Sequence, residues 1–154
     1  MHTATSKPVI ETLGFSEAKG KLSELMTSVV HDHQLKAVGR HRGKEEMLLV
    51  GREEFLALLE TFEFHPKVSV SAGEFIVRLP ELGLIGAGSS LDEAYDELAE
   101  LAEVYAENYL DRLDFFRHTD RRRQLPWVAR IAFTPPPSLR ELLTPQVERT
   151  AQPV

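Results

Sequence analysis

The chain of 154 residues carries 24 acidic and 18 basic side chains, for a formal net charge of −6, and 42% of its residues are hydrophobic. That composition is typical of a folded protein with one domain or two small ones, and it excludes wholesale disorder. The chain has no cysteine, which excludes disulfides, thiolate metal sites and cysteine nucleophiles. No apolar run reaches the roughly 20 residues that span a bilayer, and residues 1–10 lack a signal-peptide layout. We therefore expect a cytoplasmic protein without membrane contact.

The first elements in chain order are a short strand at residues 9–13 and an amphipathic helix. Ser16 is expected to cap this helix, with Glu17 complementing its dipole. Apolar side chains then recur at helical spacing until about residue 31, at Leu22, Leu25, Met26, Val29 and Val30. The apolar face of this helix is therefore expected to be buried against another part of the protein or a partner.

A β-hairpin and a second helix complete the first pattern. Residues 36–40 and 47–50 predict two strands, and the basic stretch 41–44 between them predicts a tight turn. A helix is expected from Arg52, and the His65-Pro66 pair interrupts any helical continuation. Residues 1–63 are thus predicted to form a β-α-β-β-α domain that ends in a linker.

The next segment, residues 68–133, predicts a second domain of β-β-β-α-β order. Strands are expected at 68–70, 75–79 and 84–87. Ser90 and Glu93 have capping-box spacing and open the longest helix, which runs to about residue 116. Acids cover one side of this helix, while Tyr95, Tyr105 and Tyr109 lie on the other. These tyrosines are expected in the core, and a dimer seam is the alternative. A fourth strand is expected at residues 127–133.

The last segment, residues 134–154, predicts a flexible proline-rich tail. Leu139, Leu142 and Leu143 would share one face of a short helix. Such a helix is too short to be stable alone, so we expect it to order only on contact with a partner. The basic run Arg121–Arg123 has three open interpretations: a solvated linker, an additional DNA contact, or part of an arm that binds a protein partner.

Three patterns that could suggest catalysis or ligand binding are better explained otherwise. His31 and His33 lie at a helix end without further ligands nearby in sequence, so a metal site is not expected. The glycines at 83, 86 and 88 are followed by no lysine, so strand and turn roles are favoured over a phosphate loop. The carboxylates form no convergent set for metal-dependent nuclease chemistry. We expect no catalytic residues, no metal and no cofactor.

The first half resembles the Phd/YefM (prevent-host-death) antitoxin family. The resemblance rests on Phe15-Ser16-Glu17-Ala18-Lys19, on Arg40-His41-Arg42-Gly43-Lys44, and on the strand and helix that follow through Thr61. It implies a dimer that binds operator DNA with basic groups near the first helix and the hairpin turn. The groups at those positions are Lys19, Arg40, Arg42 and Lys44. Lys19 replaces the family's arginine, so phosphate contact is expected there without bidentate base readout.

The second half resembles the HicB antitoxin domain. The resemblance rests on Gly73-Glu74-Phe75, on Pro80-Glu81-Leu82, and on Ser90-Leu91-Asp92-Glu93-Ala94 at the start of the long helix. It implies a partial ribonuclease-H-like module that contacts a toxin.

Together these patterns predict an α+β antitoxin of a type II toxin–antitoxin system, a homodimer or higher even oligomer. Its expected partners are operator DNA and a cognate toxin, a small ribonuclease-type protein. The candidate toxin-binding segment contains Leu139, Leu142 and Leu143. The alternatives are an orphan transcriptional repressor without a toxin and, on fold analogy alone, a metal-dependent ribonuclease.

Overall fold

The computed structural model describes residues 8–145, and the chain divides into two compact units, residues 1–58 and 59–154. Each unit combines one three-stranded sheet with helices. The predicted α+β class is therefore confirmed.

The first unit contains β1 (Thr12–Gly14), α1 (Phe15–Gly20), α2 (Leu22–Met26), a π-helical turn (Thr27–His31), β2 (Lys36–Arg40), β3 (Glu45–Leu49) and α3 (Arg52–Leu59). β2 is central, with β1 parallel to it and β3 antiparallel to it. The order β-α-β-β-α agrees with the prediction. The start of the first helix differs from the prediction that Ser16 caps it. Gly14 is the N-cap, no side chain forms a capping hydrogen bond, and Ser16 lies inside the helix.

The core of the first unit is small. Ala18, Leu25 and Val38 form its buried centre. The predicted apolar stripe is divided: Leu25 and Val29 are buried, whereas its other three members are largely exposed, namely Leu22, Met26 and Val30. Within residues 8–58, much of the first unit's apolar surface therefore stays outside its core.

The second unit begins with an antiparallel sheet of β4 (Lys67–Ser71), β5 (Glu74–Leu79) and β6 (Leu84–Gly88), with β5 in the centre. It continues with α4 (Leu91–Asp111), α5 (Leu113–Phe116), a 3-10 turn (Asp120–Gln124), α6 (Leu125–Ala132), a second 3-10 turn (Pro136–Ser138) and α7 (Leu139–Leu143). The three strands and the long helix agree with the prediction, although α4 ends at Asp111.

The helix α4 packs directly on the sheet because glycines on β6 let the backbones approach. A Cβ at Gly86 would lie 2.4 Å from the carbonyl oxygen of Ala94, and one at Gly88 would lie 2.8 Å from the amide nitrogen of Ala94. These two glycines therefore serve helix packing. Of the three tyrosines expected in the core, Tyr95 and Tyr109 are buried on the same side of α4, whereas Tyr105 is partly buried beside them.

The N-terminus of α4 is capped much as its sequence predicts. The Ser90 hydroxyl accepts a hydrogen bond of 3.1 Å from the amide of Glu93. The Glu93 carboxylate returns to the amide of Ser89, at 2.9 Å, and not to that of Ser90. In this capping box, the hydrogen bond from the backbone to the Glu93 carboxylate therefore comes from the residue before the N-cap.

The fourth strand predicted at residues 127–133 is wrong, since this segment lies in α6. Val128, Ala129 and Ile131 are all buried, a sequence of burial that the alternation of a strand cannot produce. Pro126 in the first turn also favours a helix start. The Trp127 indole donates a hydrogen bond of 2.9 Å to the carbonyl oxygen of Glu63.

The prediction of a flexible tail from residue 134 is wrong for its described part, 134–145. Leu139 and Leu143 are fully buried in the core that contains α4, and the Arg140 guanidinium pairs with Asp92 and Asp96. Burial against α4 supplies the stability that a helix of five residues lacks alone. Residues 146–154 lie outside the described residues.

Candidate functional site

The hairpin turn after β2 presents basic side chains to solvent. His41, Arg42 and Gly43 have positive φ angles of 54°, 59° and 80°, which bend the chain tightly between paired Arg40 and Glu45. Arg42 and Lys44 are exposed on this turn. The sequence prediction of a turn with outward-facing basic groups is confirmed.

Arg40 connects the hairpin with the start of α1. Its guanidinium lies 5.9 Å from the centroid of the Phe15 ring and forms an ion pair with Glu45. A groove in the first unit is lined by residues from both places, including Gly14, Ser16, Arg40 and Arg42. The structure thus brings Arg40 and Arg42 to one surface at the first turn of α1.

The other two predicted DNA contacts lie outside this groove lining. Lys19 is exposed in the last turn of α1, and Lys44 is exposed at the far end of the turn. Neither forms an ion pair within 4.0 Å among the described residues. Both ammonium groups are therefore available to an anionic partner.

A contact that the sequence did not predict joins His33 to α3. The ring of His33 forms a hydrogen bond with the Glu54 carboxylate. The pKa of Glu54 lies below its usual 4.5, chiefly because its own backbone amide donates to it and then because His33 does. Within residues 8–145, no group of three or more side chains could hold a metal ion. His33 therefore has a structural partner.

On the second unit, the solvent side of α4 is strongly acidic. Glu97 accepts a hydrogen bond of 2.6 Å from the Ala87 amide on the edge strand β6, so one of the predicted surface acids has a structural role. Farther along, Glu100, Val104 and Glu107 are exposed and, at 100° per residue, point away from the buried face. This strip offers negative charge around an exposed aliphatic side chain.

The three leucines named as candidate partner contacts are placed differently from one another. Leu139 and Leu143 are buried, and Leu142 is half-buried. Leu142 lines an open groove of the second unit together with Glu60, Glu63 and other residues. In this arrangement only Leu142 is accessible to a partner.

Comparison with known proteins identifies the family. A family model described as PHD-like, an antitoxin of RelE/RelB toxin–antitoxin systems, matches residues 9–136. The chain belongs to this antitoxin family. The match includes residues of both units, from just before β1 to the start of the second 3-10 turn. A search of curated proteins found no match.

A solved structure shares the fold of this antitoxin. It is described as an antitoxin part of a proposed toxin/antitoxin system from Syntrophomonas wolfei subsp. wolfei, and it superimposes with a TM-score of 0.76 at 21% identity. The similarity covers 86% of this chain and 96% of the other. Hence this fold also occurs in an experimental structure.

Antitoxins of this family are non-enzymatic regulatory proteins, and the chain is accordingly not an enzyme. Its biological role implies a toxin as partner. In the part of the chain that the structure describes, no helix has the length and hydrophobicity to cross a membrane.

Proposed function

We propose that this antitoxin neutralises a cognate toxin by direct binding and represses its own operon by binding operator DNA through the first unit. The observation that carries the DNA-binding part is the exposed hairpin, which places Arg40 and Arg42 beside the first turn of α1. Guanidinium groups provide planar pairs of donors suited to phosphate and to guanine edges. The resemblance to Phd/YefM antitoxins assigns operator contacts to the same positions.

Phosphate contacts supply affinity, and base contacts supply sequence selectivity. Lys19 and Lys44 carry compact ammonium groups, which neutralise phosphate without bidentate readout. Arg40 and Arg42 are therefore assigned the selective role. The ion pair of Arg40 with Glu45 is exposed on both sides, so it costs little to exchange for a phosphate.

Dimerisation of the first unit is proposed from its uncovered apolar surface. Leu22, Met26 and Val30 follow one another at one-turn spacing and are exposed, and Leu48 on the edge strand β3 is 75% exposed. A core centred on three buried residues leaves a domain of this size marginal without added burial. A second copy of the same surface provides that burial by two-fold symmetry.

The operator test compares wild type with the double variant Arg40→Ala, Arg42→Ala on promoter DNA from the operon. We expect salt-sensitive binding by wild type and a loss of at least tenfold in affinity for the variant. Lys67→Ala with Arg78→Ala is the matched control, because it removes two exposed cations from paired positions on β4 and β5. Equal affinity of the hairpin variant and wild type would refute operator binding through the hairpin.

Toxin binding is proposed for the second unit, through the acidic strip of α4 formed by Glu100, Val104 and Glu107. A ribonuclease-type toxin needs cationic groups to hold RNA, and an acidic surface of the antitoxin would mask them. The resemblance to HicB places the toxin contact in this half of the chain. The HicB-like order lacks its last strand here, because α6 occupies that position.

The toxin test uses charge reversal on this strip. Glu100→Lys with Glu107→Lys is expected to weaken the toxin complex by at least tenfold and to slow association most at low salt. Glu74→Lys, at an exposed position next to the β4–β5 turn of the same unit, is the control. If the strip variant binds toxin as tightly as the control, the contact lies elsewhere.

A further inference from the structure

The second unit carries a strongly basic corner in an otherwise acidic protein. Residues 112–123 contain five arginines and two aspartates, although the chain as a whole has a net charge of −6. They follow the end of α4 and include α5 and the 3-10 turn. We call this segment the arginine corner; its charged and aromatic members are Arg112, Arg117, Arg121, Arg122, Arg123 and Phe115.

The backbone of the arginine corner is held in place by side chains beneath it. The Tyr109 hydroxyl donates a hydrogen bond of 2.7 Å to the carbonyl oxygen of Arg121. The Thr119 hydroxyl donates to the carbonyl oxygen of Phe116 at 2.8 Å and accepts from the Arg121 amide at 3.2 Å. These bonds join the 3-10 turn to α4 and α5, so the arginines project from a fixed scaffold.

Two of the guanidinium groups are gathered over one aromatic ring. The guanidinium of Arg112 lies 5.7 Å from the Phe116 ring centroid, and that of Arg121 lies 6.0 Å from it. Phe116 is itself buried and stacked on Tyr109 at 4.7 Å. Contact with the ring face orients the two planar groups while their N–H donors stay free for an anion.

The positive charge of the arginine corner is largely uncompensated. All five arginines are exposed. Among the described residues, the only ion pair that any of them forms within 4.0 Å joins Arg117 to Asp114, at 3.6 Å. Such an exposed pair contributes little. The like charges of Arg112 and Arg121, which lie at the same ring, repel each other, and an anionic ligand would reduce that cost.

An exposed aromatic ring lies beside one of these guanidinium groups. Phe115 is 55% exposed, and the Arg112 guanidinium lies 4.9 Å from its centroid. Cations beside an accessible aromatic ring are a combination that binds single-stranded nucleic acid, since phosphates meet the cations and an unpaired base stacks on the ring. A carboxylate surface on a protein would satisfy only the cations.

We infer that the arginine corner is a second nucleic-acid contact, one that holds single-stranded nucleic acid without sequence preference and is separate from the hairpin of the first unit. Arg122 and Arg123 contact phosphates, Arg112 and Arg121 orient around Phe116, and Phe115 stacks a base. This assignment selects one of the three interpretations that the sequence leaves open for Arg121–Arg123.

The test measures binding of the full chain to a labelled single-stranded DNA of about 16 nucleotides with no operator sequence. Arg122→Ala with Arg123→Ala is expected to lower affinity at least tenfold and to reduce the slope of log affinity against log salt by about 1.4, the value for two phosphates on a single strand. Lys67→Ala with Arg78→Ala, which removes the same charge, is expected to change neither quantity appreciably.

Phe115→Leu separates stacking from charge. It is expected to lower affinity about tenfold while leaving the salt slope unchanged. The inference is overturned if wild type fails to bind the single strand at low salt, or if the Arg122/Arg123 variant binds like the Lys67/Arg78 variant. It is also overturned if polyglutamate displaces the strand as effectively as unlabelled DNA of equal charge.

Operator binding by the hairpin and single-strand binding by the arginine corner can be refuted independently of each other. The Arg40→Ala, Arg42→Ala variant is expected to lose operator selectivity and keep single-strand binding. The Arg122→Ala, Arg123→Ala variant is expected to lose single-strand binding and keep operator selectivity.

Discussion

The hydroxyl of Tyr109 on α4 donates a hydrogen bond of 2.7 Å to the main-chain carbonyl oxygen of Arg121 in the following 3-10 turn. Tyr109 is buried, and this burial raises the pKa of its hydroxyl above the usual 10.0. The bond thus joins a residue of the core to the surface segment that carries Arg121, Arg122 and Arg123. The position of the arginine corner depends on a core residue.

Tyr109→Phe removes this bond and leaves the carbonyl of Arg121 without that donor. We expect a loss of about 1 kcal/mol in unfolding free energy, measured by urea denaturation. Because the raised pKa favours the neutral hydroxyl in the fold, its contribution is present below pH 10 and declines as the pH rises further. Wild type should therefore lose more stability than Tyr109→Phe above pH 10, and an equal loss in the two proteins would contradict this role.

Gly86→Ala tests the close packing of β6 against α4. The added Cβ would lie 2.4 Å from the carbonyl oxygen of Ala94 and 2.8 Å from the amide nitrogen of Leu98. Because backbone atoms cannot yield as a side chain does, we expect a loss of roughly 1–3 kcal/mol in stability. Gly20→Ala, where a Cβ meets no atom within 4 Å, serves as control. Equal thermal stability of the two variants would show that the packing is looser than described.

Glu93→Gln tests the capping of α4 through its dependence on pH. The pKa of Glu93 lies below its usual 4.5, first because the Ser89 hydroxyl donates to the carboxylate and then because the Ser89 amide does. The ionised form is thus favoured in the fold, so its contribution is present above pH 4.5 and is lost as the pH falls through the lowered value. Wild type should exceed Glu93→Gln in stability at pH 7, and the difference should shrink under acid.

Leu48→Glu tests the proposed dimer surface of the first unit. A carboxylate on this exposed edge-strand residue would have to be buried without a partner in a dimer, which is unfavourable. We expect a shift from dimer to monomer in light scattering after size exclusion. Val70→Glu, on the exposed edge strand of the other sheet, is expected to leave the dimer intact. A dimer that survives Leu48→Glu would place the interface elsewhere.

Local patterns predicted most of the sheet and the long helix. The hairpin turn at residues 41–44 and the Ser90 cap depend on a few neighbouring residues whose geometry is specified by their type. The glycines of β6 were correctly assigned to the sheet, but their sequence does not show which backbone approaches them.

The errors arose where tertiary burial decides the structure. The apolar segment 127–133 satisfies a strand by composition, yet Val128, Ala129 and Ile131 are buried together only on a helix. Leu139 and Leu143 looked like an unanchored tail because the surface of α4 that buries them is some forty residues earlier in the chain. Likewise, the sequence shows that Arg121–Arg123 are consecutive. It does not show that Arg112 and Arg121 lie against the Phe116 ring, because that contact depends on the tertiary structure.

The central claim, that this antitoxin acts by binding a toxin, is tested most directly by co-expressing the full chain with the product of the adjacent open reading frame. We predict that the adjacent product alone arrests growth, that the antitoxin restores growth, and that the two proteins co-purify in a fixed ratio. Glu100→Lys with Glu107→Lys should weaken both rescue and co-purification relative to Glu74→Lys. A neighbouring product that is harmless and does not co-purify would contradict the claim and favour a repressor without a toxin.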